Sequence, residues 1–108
     1  MRPKGVEKKR TLMDVLTPCQ FAATILVASS LTNAEIAKFM GISAHTVNHH
    51  MSAIFDRTGC RNRTELTARY VHELDKGLYG KKEFSERLAQ LRKAAHSTVL
   101  KTLRHRSA

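Results

Sequence analysis

Apolar positions along the chain recur at intervals of three and four residues and nowhere alternate with polar ones, which predicts helices and no strand. Thr17-Pro18-Cys19-Gln20 provides a capping hydroxyl, a proline suited to a first helical position and a Gln placed to complete a capping box. Phe21, Ala22, Ile25, Leu26 and Ala28 then fall on one face until Ser29-Ser30 weakens the helix. Thr32-Asn33-Ala34-Glu35 is a second capping box, opening a helix of about two turns with Ile36, Ala37, Phe39 and Met40 apolar. Gly41 suits its left-handed C-terminal cap. Ser43 caps a third helix running to about Arg57, with Gly59 past its end. Asn62-Arg63-Thr64-Glu65 opens a fourth, carrying Leu66, Tyr70, Val71 and Leu74 and ending at Asp75-Lys76-Gly77. Gly77 and Gly80 read as a linker. Beyond them Phe84, Leu88, Leu91, Ala95, Val99 and Leu103 mark a long amphipathic helix over 81–105.

The third helix carries the most information. At 100° per residue, Ala44, Val47, Met51, Ile54 and Phe55 share one arc and face the core. His45, Asn48, His49, Ser52 and Asp56 share another, turned to solvent, with His50 and Arg57 on the flank between. A short helix, a glycine turn and a longer helix with a hydrogen-bonding outer face is how a helix-turn-helix presents itself to the major groove. Base edges require donors and acceptors: Asn can pair bidentately with adenine, and Ser and His donate or accept according to the base.

Charge alters this picture mainly by where it lies. The 108 residues carry a net charge of +10, and residues 11–80 are balanced, so the excess sits in the flanks, +4 over 1–10 and +6 over 81–108. A basic excess implies a polyanionic partner and makes the flanks candidates for an electrostatic grip. The length suits one small domain. No apolar run is long enough for a membrane span or signal peptide, so the chain is expected in the cytoplasm, with Cys19 and Cys60 as reduced thiols.

Other chemistry finds little support. His45 and His49 stand one turn apart, but no Cys-x-x-Cys or second ligand pair accompanies them, so no metal or other cofactor is expected. No phosphate loop, acidic metal cluster or nucleophile elbow occurs, and the chain reads as a non-enzyme. Cys60 fits a buried filler. Cys19, near a helix start, is a candidate redox thiol.

The residues closely resemble the LuxR-type, or GerE-type, helix-turn-helix domain of bacterial transcription regulators. Leu16-Thr17-Pro18 matches the family's opening, and Thr32-Asn33-x-Glu35-Ile36-Ala37 its Ser-Asn-x-Glu-Ile-Ala segment. Gly41-Ile42-Ser43 is similar to its turn, Thr46-Val47-x-x-His50 to its recognition-helix signature, and Gly59-x-x-Asn62-Arg63-Thr64-Glu65 to its entry to the fourth helix. The resemblance spans about residues 16–74. It implies an all-α, four-helix, DNA-binding and usually dimeric regulator in which the third helix reads DNA and the fourth often pairs subunits. The expected organisation is a basic arm over 1–15, the helix-turn-helix domain over 16–76 and an additional C-terminal helix over 81–105.

Several positions depart from the family pattern. Cys19-Gln20 stands where Arg-Glu is common, and Ala22 where the next Glu is usual. Ala34 and Asn48 replace frequent lysines, and the Lys-rich end of the recognition helix is reduced to Asp56-Arg57. Carried over position by position, the base-reading candidates are Asn48, His49, Ser52 and His45, with Thr46, His50, Arg61 and Arg63 toward phosphates. Non-specific affinity comes mostly from neutralised phosphates, so the basic flanks are expected to replace the missing lysines.

The implied partners are double-stranded DNA and a second copy of the chain, with another regulator or RNA polymerase as further candidates and no membrane. Leu66, Tyr70 and Leu74 on the fourth helix, and Leu88, Leu91, Val99 and Leu103 on the long C-terminal helix, are the candidates for pairing. The C-terminal stripe also fits packing on its own domain. The family domain usually ends a longer protein, and this chain is expected to be a stand-alone reader, a fragment or a partner-controlled protein. The alternative function is a helix-turn-helix adaptor or antagonist of another regulator, a use that the loss of lysines permits. A lesser variant is similar to the promoter-reading region of a sigma factor.

Overall fold

Thr11 opens a helix that precedes the one expected at Thr17. Its hydroxyl accepts the Asp14 N–H at 3.2 Å while the Asp14 carboxylate accepts the Thr11 N–H at 2.9 Å, a reciprocal cap on the single turn α1 (Leu12–Val15). The computed structural model describes residues 10–93. After α1 come α2 (Pro18–Ala28), α3 (Asn33–Met40), α4 (Ala44–Thr58) and α5 (Arg63–Asp75). A sixth helix, α6, begins at 81 and continues to 93, the last described residue. No strand occurs among the described residues. The architecture is the all-α one that the periodicity predicts, with one helix more. Ala95, Val99 and Leu103, and residues 1–9 of the basic arm, lie outside the described residues.

The four main helices start where their caps specify. Thr17, Thr32, Ser43 and Asn62 each accept the backbone N–H three residues on, and Gln20 and Glu35 return the bond to close capping boxes. Gly41, at φ 71°, and Gly59, at φ 74°, end α3 and α4 in the left-handed conformation that glycine adopts without a Cβ clash.

α2 is the central helix. It packs against α1, α3, α4 and α5, and Phe21, Ala23, Ile25, Leu26 and Val27 are all buried, so the helix is apolar around most of its circumference. Thr24 is fully buried as well, its hydroxyl donating back to the Gln20 carbonyl at 2.9 Å. Around α2 the core is completed by Leu12, Met13, Leu16, Ile36, Val47, Met51, Ile54, Leu66 and Tyr70.

Two expectations about boundaries are corrected here. Leu12 and Met13, expected in the basic arm over 1–15, are buried in this core, so the packed domain begins before residue 16. The segment between Gly77 and Gly80 is no solvated linker. Tyr79 is buried, edge-on to Phe21 at 5.3 Å and stacked on Phe84 at 5.5 Å, and its hydroxyl donates to Glu73 at 2.9 Å. Aromatic pairs of this kind contribute about 0.5–1.5 kcal/mol beyond their buried area.

That aromatic cluster docks α6 on its own domain. Phe84 and Leu88 are half-buried against the core and Leu91 is buried in it, close to Pro18, Ala22 and Met40. The described part of the amphipathic stripe therefore packs intramolecularly.

Candidate nucleic-acid interface

α3 and α4 form the helix-turn-helix. The Ile42 N–H reaches back to the Ala37 carbonyl at 3.0 Å and Gly41 to Lys38 at 3.3 Å, which closes α3 and turns the chain within two residues. The Ser43 hydroxyl then accepts the Thr46 N–H at 3.0 Å and lies 2.9 Å from the Thr46 hydroxyl, fixing the entry to α4.

α4 is divided along its length as the periodicity predicts. Val47, Met51 and Ile54 are buried, whereas His45, Asn48, His49, Ser52 and Asp56 are exposed on the opposite side. Phe55 is half-buried. Ala44, expected in the core, is exposed as the first residue of α4. The face offered to solvent is thus a continuous set of hydrogen-bonding groups on a helix anchored by its other side.

Its side chains are already organised. The imidazoles of His45 and His49 meet edge-on, with their Nε2 atoms 3.1 Å apart, one nitrogen donating to the other. Asn48 accepts a hydrogen bond at Oδ1 from Asn33 Nδ2 at 2.9 Å. Asn33, the first residue of α3, in turn accepts from Arg63 Nη1 at 2.6 Å, and Arg63 also donates to the Leu31 carbonyl.

The phosphate candidates separate into two groups. Arg61 is 85% exposed at the edge of the motif and pairs with Glu65 through Nε at 3.1 Å. The Arg61 backbone N–H donates to the same carboxylate at 2.7 Å, and this bond holds the Glu65 carboxyl below its usual pKa, with the guanidinium charge adding to it. Thr46 and His50 are half-buried at the flank of α4. Arg63, expected toward phosphates, instead donates to Asn33 on α3 and to the Leu31 carbonyl in the turn between α2 and α3, bracing α5 against both. Arg57 donates to the Val15 carbonyl at 3.2 Å, so the basic residue at the end of α4 also ties helices together.

The pairing candidates are sorted by burial. Leu66 and Tyr70 lie within their own core and offer no surface to a second chain. Leu91 is likewise buried by its own domain, and Leu88 is half-buried. Leu74 is 42% exposed and Val71, three residues before it on α5, is 52% exposed; Leu78, also 52% exposed, lies in the turn after α5 and lines a recess with Arg69, His72 and Glu73. Val99 and Leu103 lie outside the described residues.

Sequence reasoning missed Asn33 as a partner of Asn48, and Arg69 and Glu73 as a structural hub. Arg69 Nε donates to Glu73 at 3.0 Å, while its terminal nitrogens donate to the carbonyls of Thr58 and Arg10. The i,i+4 spacing of Arg69 and Glu73 was a visible signal for the pair; their distant partners left none. Cys60 is half-buried against the core and Cys19 is exposed, both as free thiols. Among the described residues no three His, Cys, Asp or Glu side chains gather as metal ligands. No helix among them is long and apolar enough to cross a membrane.

Comparison with protein families matches residues 14–70 to the bacterial regulatory proteins of the luxR family, a span from the end of α1 through α2, α3 and α4 to Tyr70 within α5. No curated protein and no solved structure matches the chain. The matched span covers more than half of the 108 residues and contains the whole helix-turn-helix with its exposed α4 face, and the chain therefore belongs to the luxR family of DNA-binding, helix-turn-helix transcription regulators.

Proposed function

We propose that the chain is a sequence-specific regulator that lays α4 in the major groove, with Asn48, His49, Ser52 and His45 against base edges. Thr46, His50 and Arg61 meet the phosphates on either side. The observation that carries this reading is the division of α4 between a side buried through Val47, Met51 and Ile54 and an exposed row of hydrogen-bonding groups that includes His45, Asn48, His49 and Ser52. Such a face has little to gain from packing against another protein's apolar core and is suited to base edges, which offer donors and acceptors. The basic flanks supply the phosphate attraction that α4 itself lacks.

The same reading includes a homodimer. Val71 and Leu74 form an exposed apolar pair near the end of α5, and a second copy meeting it would bring two α4 helices onto one duplex. One observation favours a second reading. α4 carries no lysine and its single arginine is bonded to Val15, which leaves an adaptor or antagonist of another regulator as the competing function. Binding to random-sequence duplex over a range of salt concentrations separates the two. A DNA reader shows affinity falling steeply with salt, by roughly 0.9 logarithmic units per logarithmic unit of salt for each phosphate neutralised. An adaptor shows no such dependence.

A further inference from the structure

Three polar side chains from three helices make a directed chain of hydrogen bonds that ends on the exposed face of α4. Arg63 Nη1 donates to Asn33 Oδ1 at 2.6 Å, and Asn33 Nδ2 donates to Asn48 Oδ1 at 2.9 Å. Chemistry allows this chain only one direction. A guanidinium has donors and no acceptor, so the Asn33 atom that faces it must be the oxygen. The other end of the Asn33 amide is then its NH2, which requires an acceptor, and Asn48 must answer with its own oxygen. Both amides are thereby fixed by a residue that cannot change its protonation or reverse its role. The Arg63 bond to the Leu31 carbonyl holds the guanidinium at the start of the chain.

The consequence falls on Asn48. An unrestrained asparagine recognises adenine through both ends of its amide, accepting from N6 and donating to N7. With its oxygen turned toward α3 and one lone pair of that oxygen taken by Asn33, Asn48 presents its NH2 foremost to the groove. Guanine presents two neighbouring acceptors, O6 and N7, to such a donor, whereas thymine presents one, O4, adenine sets its own N6 amine beside its single acceptor N7, and cytosine offers only an amine. We infer that the Arg63–Asn33 pair presets Asn48 as a donor, so that the base it selects is guanine and not adenine. This rests on α4 facing the major groove as proposed above, and it makes Asn33 a positioning residue for sequence specificity.

The geometry also indicates how to reverse the choice. Asn33→Asp keeps the size of the side chain and its bond to Arg63, and an acidic residue in the first turn of α3 suits the helix dipole. Asp has only acceptors, so Asn48 must now turn its NH2 toward α3 and present its oxygen to the groove. The preferred base becomes one with an exposed amine, adenine or cytosine.

The experiment is selection of binding sites from a random duplex library by the full chain, by Asn48→Ala and by Asn33→Asp, with melting followed by circular dichroism for each. At the one position where Asn48→Ala relaxes the selected sequence, the natural chain is expected to favour guanine over adenine by about fivefold or more. Asn33→Asp is expected to favour adenine or cytosine there. The readout is base identity within each selection, which the added negative charge does not bias. Should Asn33→Asp fail to fold, 7-deazaguanine at that position decides the matter with the natural chain: binding weakened several-fold supports the donor contact, and unchanged binding overturns it. Adenine preferred by the natural chain, or guanine retained by folded Asn33→Asp, overturns the inference and leaves DNA reading by α4 intact. A chain that selects no sequence at all overturns both. Selection that Asn48→Ala leaves unchanged overturns the inference and assigns base contact to the other residues of α4.

Discussion

The Glu73 carboxylate on α5 accepts the backbone N–H of Leu12 at 2.8 Å, joining residues 61 positions apart inside the core. The same oxygen accepts the Tyr79 hydroxyl at 2.9 Å, and the second oxygen accepts Arg69 Nε at 3.0 Å. One buried acid thus ties the start of α1 and the turn before α6 to α5. Glu73→Ala leaves the Leu12 N–H, the Tyr79 hydroxyl and the Arg69 guanidinium without this partner, and breaking one side of a buried charged network costs about 3–5 kcal/mol. Urea denaturation should show a loss of that order. A loss under about 1 kcal/mol would contradict the role of Glu73.

The same hub makes stability sensitive to alkali. Burial pushes the Tyr79 phenol far above the ordinary tyrosine range, reinforced by its bond to Glu73, and burial also raises Tyr70. Below about pH 10 both folded and unfolded states keep these protons, so the contribution is complete. Above it the unfolded chain releases protons that the folded chain retains, and stability falls by at most about 1.4 kcal/mol per pH unit for each such tyrosine. Urea midpoints from about pH 9 to 11 should decline accordingly, and Tyr79→Phe should flatten the decline. A midpoint constant over that range would show that the phenols titrate normally.

Leu91 distinguishes the two uses of the C-terminal helix. Buried against its own domain, it should respond to Leu91→Asp by destabilisation of about 2–5 kcal/mol, the range for losing a core leucine, with the carboxylate adding its own cost. Thermal melting should report this with no change in the number of chains per particle. A variant that melts normally and changes only its association would restore the inter-chain seam.

Leu74 should behave in the opposite way. It is 42% exposed and stands three residues from the exposed Val71 on α5, so Leu74→Asp removes little from the monomer's core. If the chain pairs through α5 as proposed, sedimentation should show that association weakened at least about tenfold, equivalent to 1.4 kcal/mol, while the melting temperature extrapolated to low concentration is unchanged. Undiminished association would move the pairing surface away from α5.

What could be read from the sequence was what is decided locally. A cap depends on a residue and its neighbour three positions on, so Thr17, Thr32, Ser43 and Asn62 announce their helices. The exposed face of α4 follows from helical periodicity alone. α1 was illegible because four residues are barely one turn, leaving only the Thr11–Asp14 cap as a signal. Tyr79 between two glycines reads as a linker residue until Glu73 and Phe21 are brought to it by the fold. Arg63 carries the same charge whether it meets a phosphate or a protein carbonyl. Only its contact with Asn33, across 30 residues of chain, reveals which.

Whether α4 is the surface that meets DNA is tested most directly by backbone and side-chain amide NMR spectra of the 15N-labelled chain recorded during titration with duplex DNA. The largest shifts are expected at His45, Asn48, His49 and Ser52, including the Asn48 side-chain NH2, with Arg61 next and Val71 and Leu78 unmoved by contact with DNA. Shifts confined to the basic flanks, or centred on α5 with α4 unchanged, would contradict DNA contact by α4.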